Sequence, residues 1–322
     1  MSKLQVVDSV EILNLVDNCV DLLLPSNERA IRPQWIPQGM ITNDTLIAEH
    51  GLSQLVTVHR GAEIHTVLFD TGYGSAALLH NLKYLGVNLS HVEAIVFSHG
   101  HMDHTGSVEA LLTQINRSIK VVVHPDVFLY PRYLGLSNGS KGQFPPTLSK
   151  KIFKDARAEL IESKDPTFLA NDTILVSGQV KRTTSFEKGM PNALKEVQGK
   201  LVHDPILDDQ ALIFNLDKHG LVILSGCAHA GIINTVLYAR NITNQSQVSA
   251  VLGGFHLSGP MFEPIISDTI AGLKEFSPEL IVPMHCTGWK AISIIAEKFP
   301  KAFILNSVGT KYVLKSDAAA VV

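Results

Sequence analysis

The sequence predicts an α/β fold in which two similar halves pack as two sheets with helices outside. Three observations predict it. Residues 52–123 read as strand, strand, helix, strand, helix, strand, which is a layered pattern. A hairpin opens a comparable run of strands and helices over residues 211–314. Histidine-bearing loops follow four of the strand-like runs: His99, His101 and His104, then His229, then His256, then His285. If those strand ends share one rim, the histidines converge.

Taken in order, residues 10–16 are mostly apolar and end in Asp17-Asn18, as a first strand would. Residues 25–45 contain Pro25, Pro33, Pro37 and Gly39 and read as an irregular connection. Residues 52–59 and 64–69 flank Arg60-Gly61-Ala62-Glu63 with hairpin patterning. Helical spacing covers 76–85 and 105–115, with short buried strands at 94–97 and 119–123. Residues 124–200 are rich in proline, glycine and serine, with strand-like pieces only at 173–176 and around Val180. They read as an insertion packed over the main domain, within a single domain of 322 residues. Beyond it come a hairpin (211–215 and 221–224), helices at 232–240, 265–276 and 291–298, and strands at 248–252, 280–284, 302–305 and 312–314.

Composition removes several classes of function. The chain is 45% hydrophobic and 18% charged, enough apolar material for a large core and too little charge for a disordered chain. A net charge of -3 gives no basic footprint, so nucleic acid is not an expected partner. Three cysteines (Cys19, Cys227 and Cys286) cannot make a disulfide framework and suit a reducing compartment. Acidic residues interrupt the N-terminal apolar stretch, and no run approaches a membrane span, so a cytoplasmic protein without membrane attachment is expected. The expected partner is a small-molecule substrate; the oligomeric state stays open.

The stretch Ser98-His99-Gly100-His101-Met102-Asp103-His104 places three imidazoles and a carboxylate within six residues after a buried strand. Such donors bind zinc, in one or two ions, and manganese or iron are compatible with the same set. Gly100 lets the chain turn tightly, so that His99 and His101 can face one ion. Asp103 and His104 lie one turn on and can face a second. An accidental histidine-rich loop is the competing reading.

This stretch is similar to the His-x-His-x-Asp-His signature of the metallo-β-lactamase superfamily, and Leu68-Phe69-Asp70-Thr71-Gly72 resembles that superfamily's first motif. The resemblance implies a four-layer αβ/βα sandwich with a metal site along one edge of the sheets. It implies that His99 and His101 bind one metal and that Asp103 and His104 bind the other. It makes Asp70 an acceptor that fixes the metal loop, and His285 the last histidine ligand, on the Asp103 and His104 side. The segments Glu49-His50-Gly51-Leu52-Ser53, Gly226-Cys227-Ala228-His229-Ala230-Gly231, Gly253-Gly254-Phe255-His256-Leu257 and His285-Cys286-Thr287-Gly288 resemble one branch. That branch includes a synthase acting on a pterin and an aminobenzene ribosyl phosphate.

One departure stands out. The superfamily's bridging aspartate would follow residues 221–224, where this chain has Cys227, with His229 two residues later. His229 is the expected replacement ligand, with His203 as the alternative. Cys227 either binds as thiolate or is a small buried residue at a strand end. His256 is a ligand, a proton donor or a support for the ligands. Arg182 either binds a substrate phosphate or is a solvated arginine; His50 joins it as an expected substrate contact.

The chemistry read from these residues is metal-dependent hydrolysis by a metal-activated water, with Asp103 orienting that water and His256 protonating a leaving group. The substrate is small, phosphorylated ones included. Two alternatives accompany it: a synthase or transferase joining a pterin to an aminobenzene ribosyl phosphate, and a non-catalytic metal or ligand sensor.

Overall fold

The computed structural model describes residues 3–34, 36, 40–41 and 43–316. Two mixed sheets face each other. The first runs in the order Glu159–Glu162, Lys120–Val123, Val92–Val96, Glu63–Phe69, Ser53–Arg60, Ser9–Val16, Lys311–Lys315, Ala30–Ile31. The second runs Thr167–Leu169, Ile174–Val176, Ala211–Leu216, Gly220–Ser225, Val248–Gly254, Leu280–Met284, with Val6–Val7 also paired to Ala211–Leu216.

Strand alternation builds the layers. Val67 and Phe69 point between the sheets, where they meet Leu212, Phe214, Leu224 and Leu252 in one buried cluster. Their neighbour Leu68 points outward and packs with Ile95, Val121, Leu78, Leu82 and Leu111. In the second sheet Ile223, Val251 and Ile281 point outward against Ile233, Val236, Leu273 and Ile295 of the covering helices. The result is helix, sheet, sheet, helix: the αβ/βα sandwich. Truncating a fully buried aromatic of the central layer such as Phe214 would cost about 3–5 kcal/mol.

Parallel pairing places the site. Gly220–Ser225, Val248–Gly254 and Leu280–Met284 are parallel, so the loops after them share one edge. Glu63–Phe69 and Val92–Val96 are parallel too, which puts Asp70 beside the histidine loop.

The structure differs from the sequence reading in five places. The helix expected over 105–115 is two pieces, Met102–Thr105 and Val108–Ile115, so Asp103 and His104 lie inside a first helical turn. The strand expected at 302–305 is a single bridge between Phe303 and Ile281. No strand forms around Val180. Residues 124–200 are more ordered than expected. They give Glu159–Glu162 to the first sheet, Thr167–Leu169 and Ile174–Val176 to the second, and Arg132–Gly135, Lys141–Gln143 and Ala193–Val197 to a small third sheet with Lys200–His203. The irregular connection of 25–45 carries the two-residue strand Ala30–Ile31; Pro37 and Gly39 lie outside the described residues. Among the described residues no helix is long and apolar enough to cross a membrane.

Candidate metal centre

Two donor groups meet at the shared edge. In the first, His99 Nε2 lies 3.0 Å from His101 Nδ1 and 3.2 Å from His229 Nε2. In the second, Asp103 Oδ2 lies 3.2 Å from His285 Nε2 and 3.9 Å from His104 Nε2. Cys227 stands between them: it clusters with His99 and His229 on one side and with Asp103, His104 and His285 on the other. Its Sγ is 3.1 Å from His104 Nε2.

Local structure explains why the first loop is held this way. A Cβ on Gly100 would meet the backbone of Val127, 2.7 Å from its carbonyl oxygen, so space, more than turning, requires glycine there. The Gly100 N–H donates to Asp208 Oδ2 at 2.8 Å. Asp70 is fully buried and works on three groups. Its Oδ1 accepts the Ser98 N–H at 2.7 Å, and its Oδ2 accepts the Ser98 hydroxyl at 2.7 Å. Oδ2 also lies 2.7 Å from His104 Nδ1, which leaves His104 Nε2 free to face the centre. Behind His285, Asp17 Oδ1 accepts the His285 N–H at 2.9 Å.

Several loops at this edge are held in left-handed backbone at non-glycine residues: Asp70 at φ 60°, Ala228 at 53°, His256 at 46° and His285 at 49°. Such positions cost about 1–3 kcal/mol each and persist where the surroundings enforce them, typically at functional sites.

The electrostatics suit a cation. Burial lowers His99 and His229 well below the ordinary imidazole range and lowers His101 to about 4, so all three present neutral nitrogens. Burial would raise the Asp103 carboxyl, but His104, His285 and His101 outweigh it and hold it far below the usual range. His285 goes the other way: burial opposes its charge, yet Asp103 pushes it up to about 9.

A divalent ion fits these residues. Three neutral imidazole nitrogens facing one another cannot all be satisfied by donating to each other, and across from them His285 Nε2 and the Asp103 carboxylate converge at 3.2 Å. His99 and His229, with His101 beside His99, would hold one ion; Asp103, His104 and His285 would hold another; Cys227 faces both.

The remaining sequence candidates are placed as follows. His203 is exposed on the small sheet with Nε2 3.1 Å from the Met190 carbonyl oxygen, away from both donor groups. His50 is exposed at the rim, 3.6 Å from Asp103 Oδ2, with its ring 4.9 Å from that of His285. His256 sets its ring 4.3 Å from that of His229, tilted by 53°, and lines a cavity of about 390 Å³ with Phe186, Lys188, Phe255, Met261 and Phe262. Arg182 Nη2 donates to the carbonyls of Pro205 at 2.5 Å and His229 at 3.3 Å. A guanidinium engaged this way supports the His229 loop from behind.

Sequence reasoning missed a buried acidic pair that ties the site together. Asp208 holds the first loop at Gly100, and Asp209 Oδ2 accepts the Ala230 N–H of the second loop at 2.8 Å. Arg132 pairs with both Asp208 oxygens, at 3.0 and 2.6 Å. Glu187 caps the helix Ile232–Thr243 by accepting the N–H groups of Ile233 and Asn234 at 2.8 and 2.7 Å.

The chain belongs to the metallo-β-lactamase superfamily. Residues 52–184 match that family. The chain is 32% identical over 267 residues to 7,8-dihydropterin-6-methyl-4-(β-D-ribofuranosyl)-aminobenzene-5′-phosphate synthase of Methanocaldococcus jannaschii, covering 81% of this chain and 88% of that one. It is 33% identical over 270 residues to an uncharacterized protein of the same organism, covering 81% and 92%. Among solved structures it is similar to a metal-dependent hydrolase of the β-lactamase superfamily, with a TM-score of 0.71 and 23% identity over 95% of this chain and all of that one. That last likeness concerns the fold. Family and relatives together mark the chain as an enzyme.

Proposed function

We propose that this enzyme is a metal-dependent hydrolase acting on a small substrate, phosphorylated ones included. The observation that carries the reading is the meeting of two donor groups across Cys227, beside a cavity walled by His229 and His256. A bound divalent ion supplies Lewis acidity and lowers the pKa of water at the site. Zinc suits the imidazole, carboxylate and thiol donors best.

The chain's own residues supply the rest. Asp103 stays ionised at neutral pH, so it can orient a water and accept its proton. His256 stands on the cavity side of His229, where a leaving group would depart, and can donate a proton there. Phe186, Phe255 and Phe262 give that cavity an apolar wall that sheds water, and Lys188 gives it one cationic group for an anionic substrate.

The test is metal analysis of the purified protein with a panel of phosphodiester, lactone and thioester substrates. Turnover that disappears in His101→Ala supports the reading. A metal-replete protein inert to the whole panel counts against it.

A second reading has its own support. The synthase from M. jannaschii is 32% identical over most of both chains. On this reading the cavity holds a pterin or an aminobenzene ribosyl phosphate, and the centre positions a leaving phosphate. Tight pterin binding by a protein inert to the hydrolase panel would favour it.

A further inference from the structure

A third set of donors stands at the same edge. Cys227 Sγ, Cys286 Sγ and a ring nitrogen of His256 lie within 4.8 Å of one another. This set shares Cys227 with the two groups described above and no other residue. Neither thiol is in a disulfide, and two of the chain's three cysteines meet here.

The surroundings are built to bring these atoms together. A Cβ on Gly254 would stand 2.7 Å from Cys286 Sγ and 3.3 Å from Cys227 Cα, so any side chain there would push the two cysteines aside. His256 and His285, the residue before Cys286, both hold left-handed backbone. The His256 ring is fixed between His229, at 4.3 Å, and Phe262, at 4.5 Å. Its ring is close enough to the Cys286 thiol to hydrogen-bond with it.

We propose that Cys227, Cys286 and His256 form a separate site for a soft or borderline divalent cation, of the cadmium and zinc class. Two sulfurs and an imidazole select such ions, whereas the carboxylate-bearing Asp103 group suits harder ones. Both sulfurs bind as thiolates, any proton they carry passing to solvent, and no oxidation state changes. An ion held here engages His256 and so takes the proposed proton donor from the cavity wall. The proposal stands on the thiols and holds whether the enzyme is a hydrolase or a synthase.

The experiment titrates Cd2+ into the full-length metal-free protein. It reads the cadmium–thiolate charge-transfer absorption and the ions retained after desalting. Cys286→Ser is expected to lose roughly half of that absorption, one of two sulfurs being gone, together with one retained ion. His101→Ala is expected to keep the absorption, because the thiol set does not use that imidazole. An absorption in Cys286→Ser equal to that of the wild type overturns the proposal, as does its loss in His101→Ala. Should Cys286→Ser fail to fold, alkylation of the wild type decides. Cd2+ must then protect Cys286 and leave the exposed Cys19 reactive, and an unprotected Cys286 overturns the proposal.

Discussion

Asp208 Oδ2 accepts the Gly100 N–H at 2.8 Å across 108 positions of sequence, and the same carboxylate is gripped by Arg132 of the small sheet. The histidine loop is therefore tied to the segment 124–200 through one buried charge pair. Arg132 is nine-tenths buried or more and also lies 2.9 Å from Asp204. Asp208→Asn leaves that guanidinium short of one full charge and is expected to destabilise the protein by about 3 kcal/mol, the low end for breaking a buried pair. Denaturant unfolding at neutral pH measures it; a loss below about 1 kcal/mol would show that Asp204 alone satisfies Arg132.

Asp70 acts through His104 and Ser98 without facing the centre itself. Asp70→Asn keeps the shape but puts an amide where His104 Nδ1 needs an acceptor. Metal affinity is expected to fall about 10–100-fold, the usual cost of removing such a support. Competition with a chromophoric chelator measures this, and unchanged affinity would remove Asp70 from the ligand-orienting role.

The sheets and the position of the first histidine loop were legible because buried parallel strands are short apolar runs, and the histidines follow directly at their ends. His229 was legible for the same reason, and the structure places it against His99. Asp208, Asp209 and Arg132 were not. Their partners lie 21 to 108 positions away, and charged residues outside the apolar runs read as surface. The one available signal was the acidic doublet directly ahead of a buried strand. The small sheet was hidden because Lys141-Gly142-Gln143 and Lys195-Glu196 show no apolar alternation. The false strand at 302–305 is apolar, but its pairing stops at Phe303 and the chain turns to bring Asn306 onto Asp17 and Tyr312.

Glu187 gives a pH dependence with a definite sign. Burial is the largest influence on it and raises its carboxyl to about 7, against the N–H groups of Ile233 and Asn234, which favour the charged form. The folded state therefore binds this proton more tightly than the unfolded chain does. Its contribution to stability is fully present below about pH 4.5 and is lost as pH rises through about 7. Glu187→Gln removes this term, so the variant's stability relative to wild type should improve between pH 5 and pH 8, by on the order of 2–3 kcal/mol. Parallel stability curves for the two proteins over that range would contradict the assignment.

The partner loop decides which residue replaces the superfamily's bridging carboxylate. His229 Nε2 faces His99 directly, whereas burial pushes the Cys227 thiol well up and keeps it protonated until a cation displaces the proton. The imidazole is ready to bind and the thiol is not. His229→Ala should therefore lose the ion held by His99 and His101, while Cys227→Ser should keep most of its metal. Elemental analysis of both variants after the same purification distinguishes them. Loss of metal in Cys227→Ser with retention in His229→Ala would reverse the assignment and make the thiolate the true replacement for the missing aspartate.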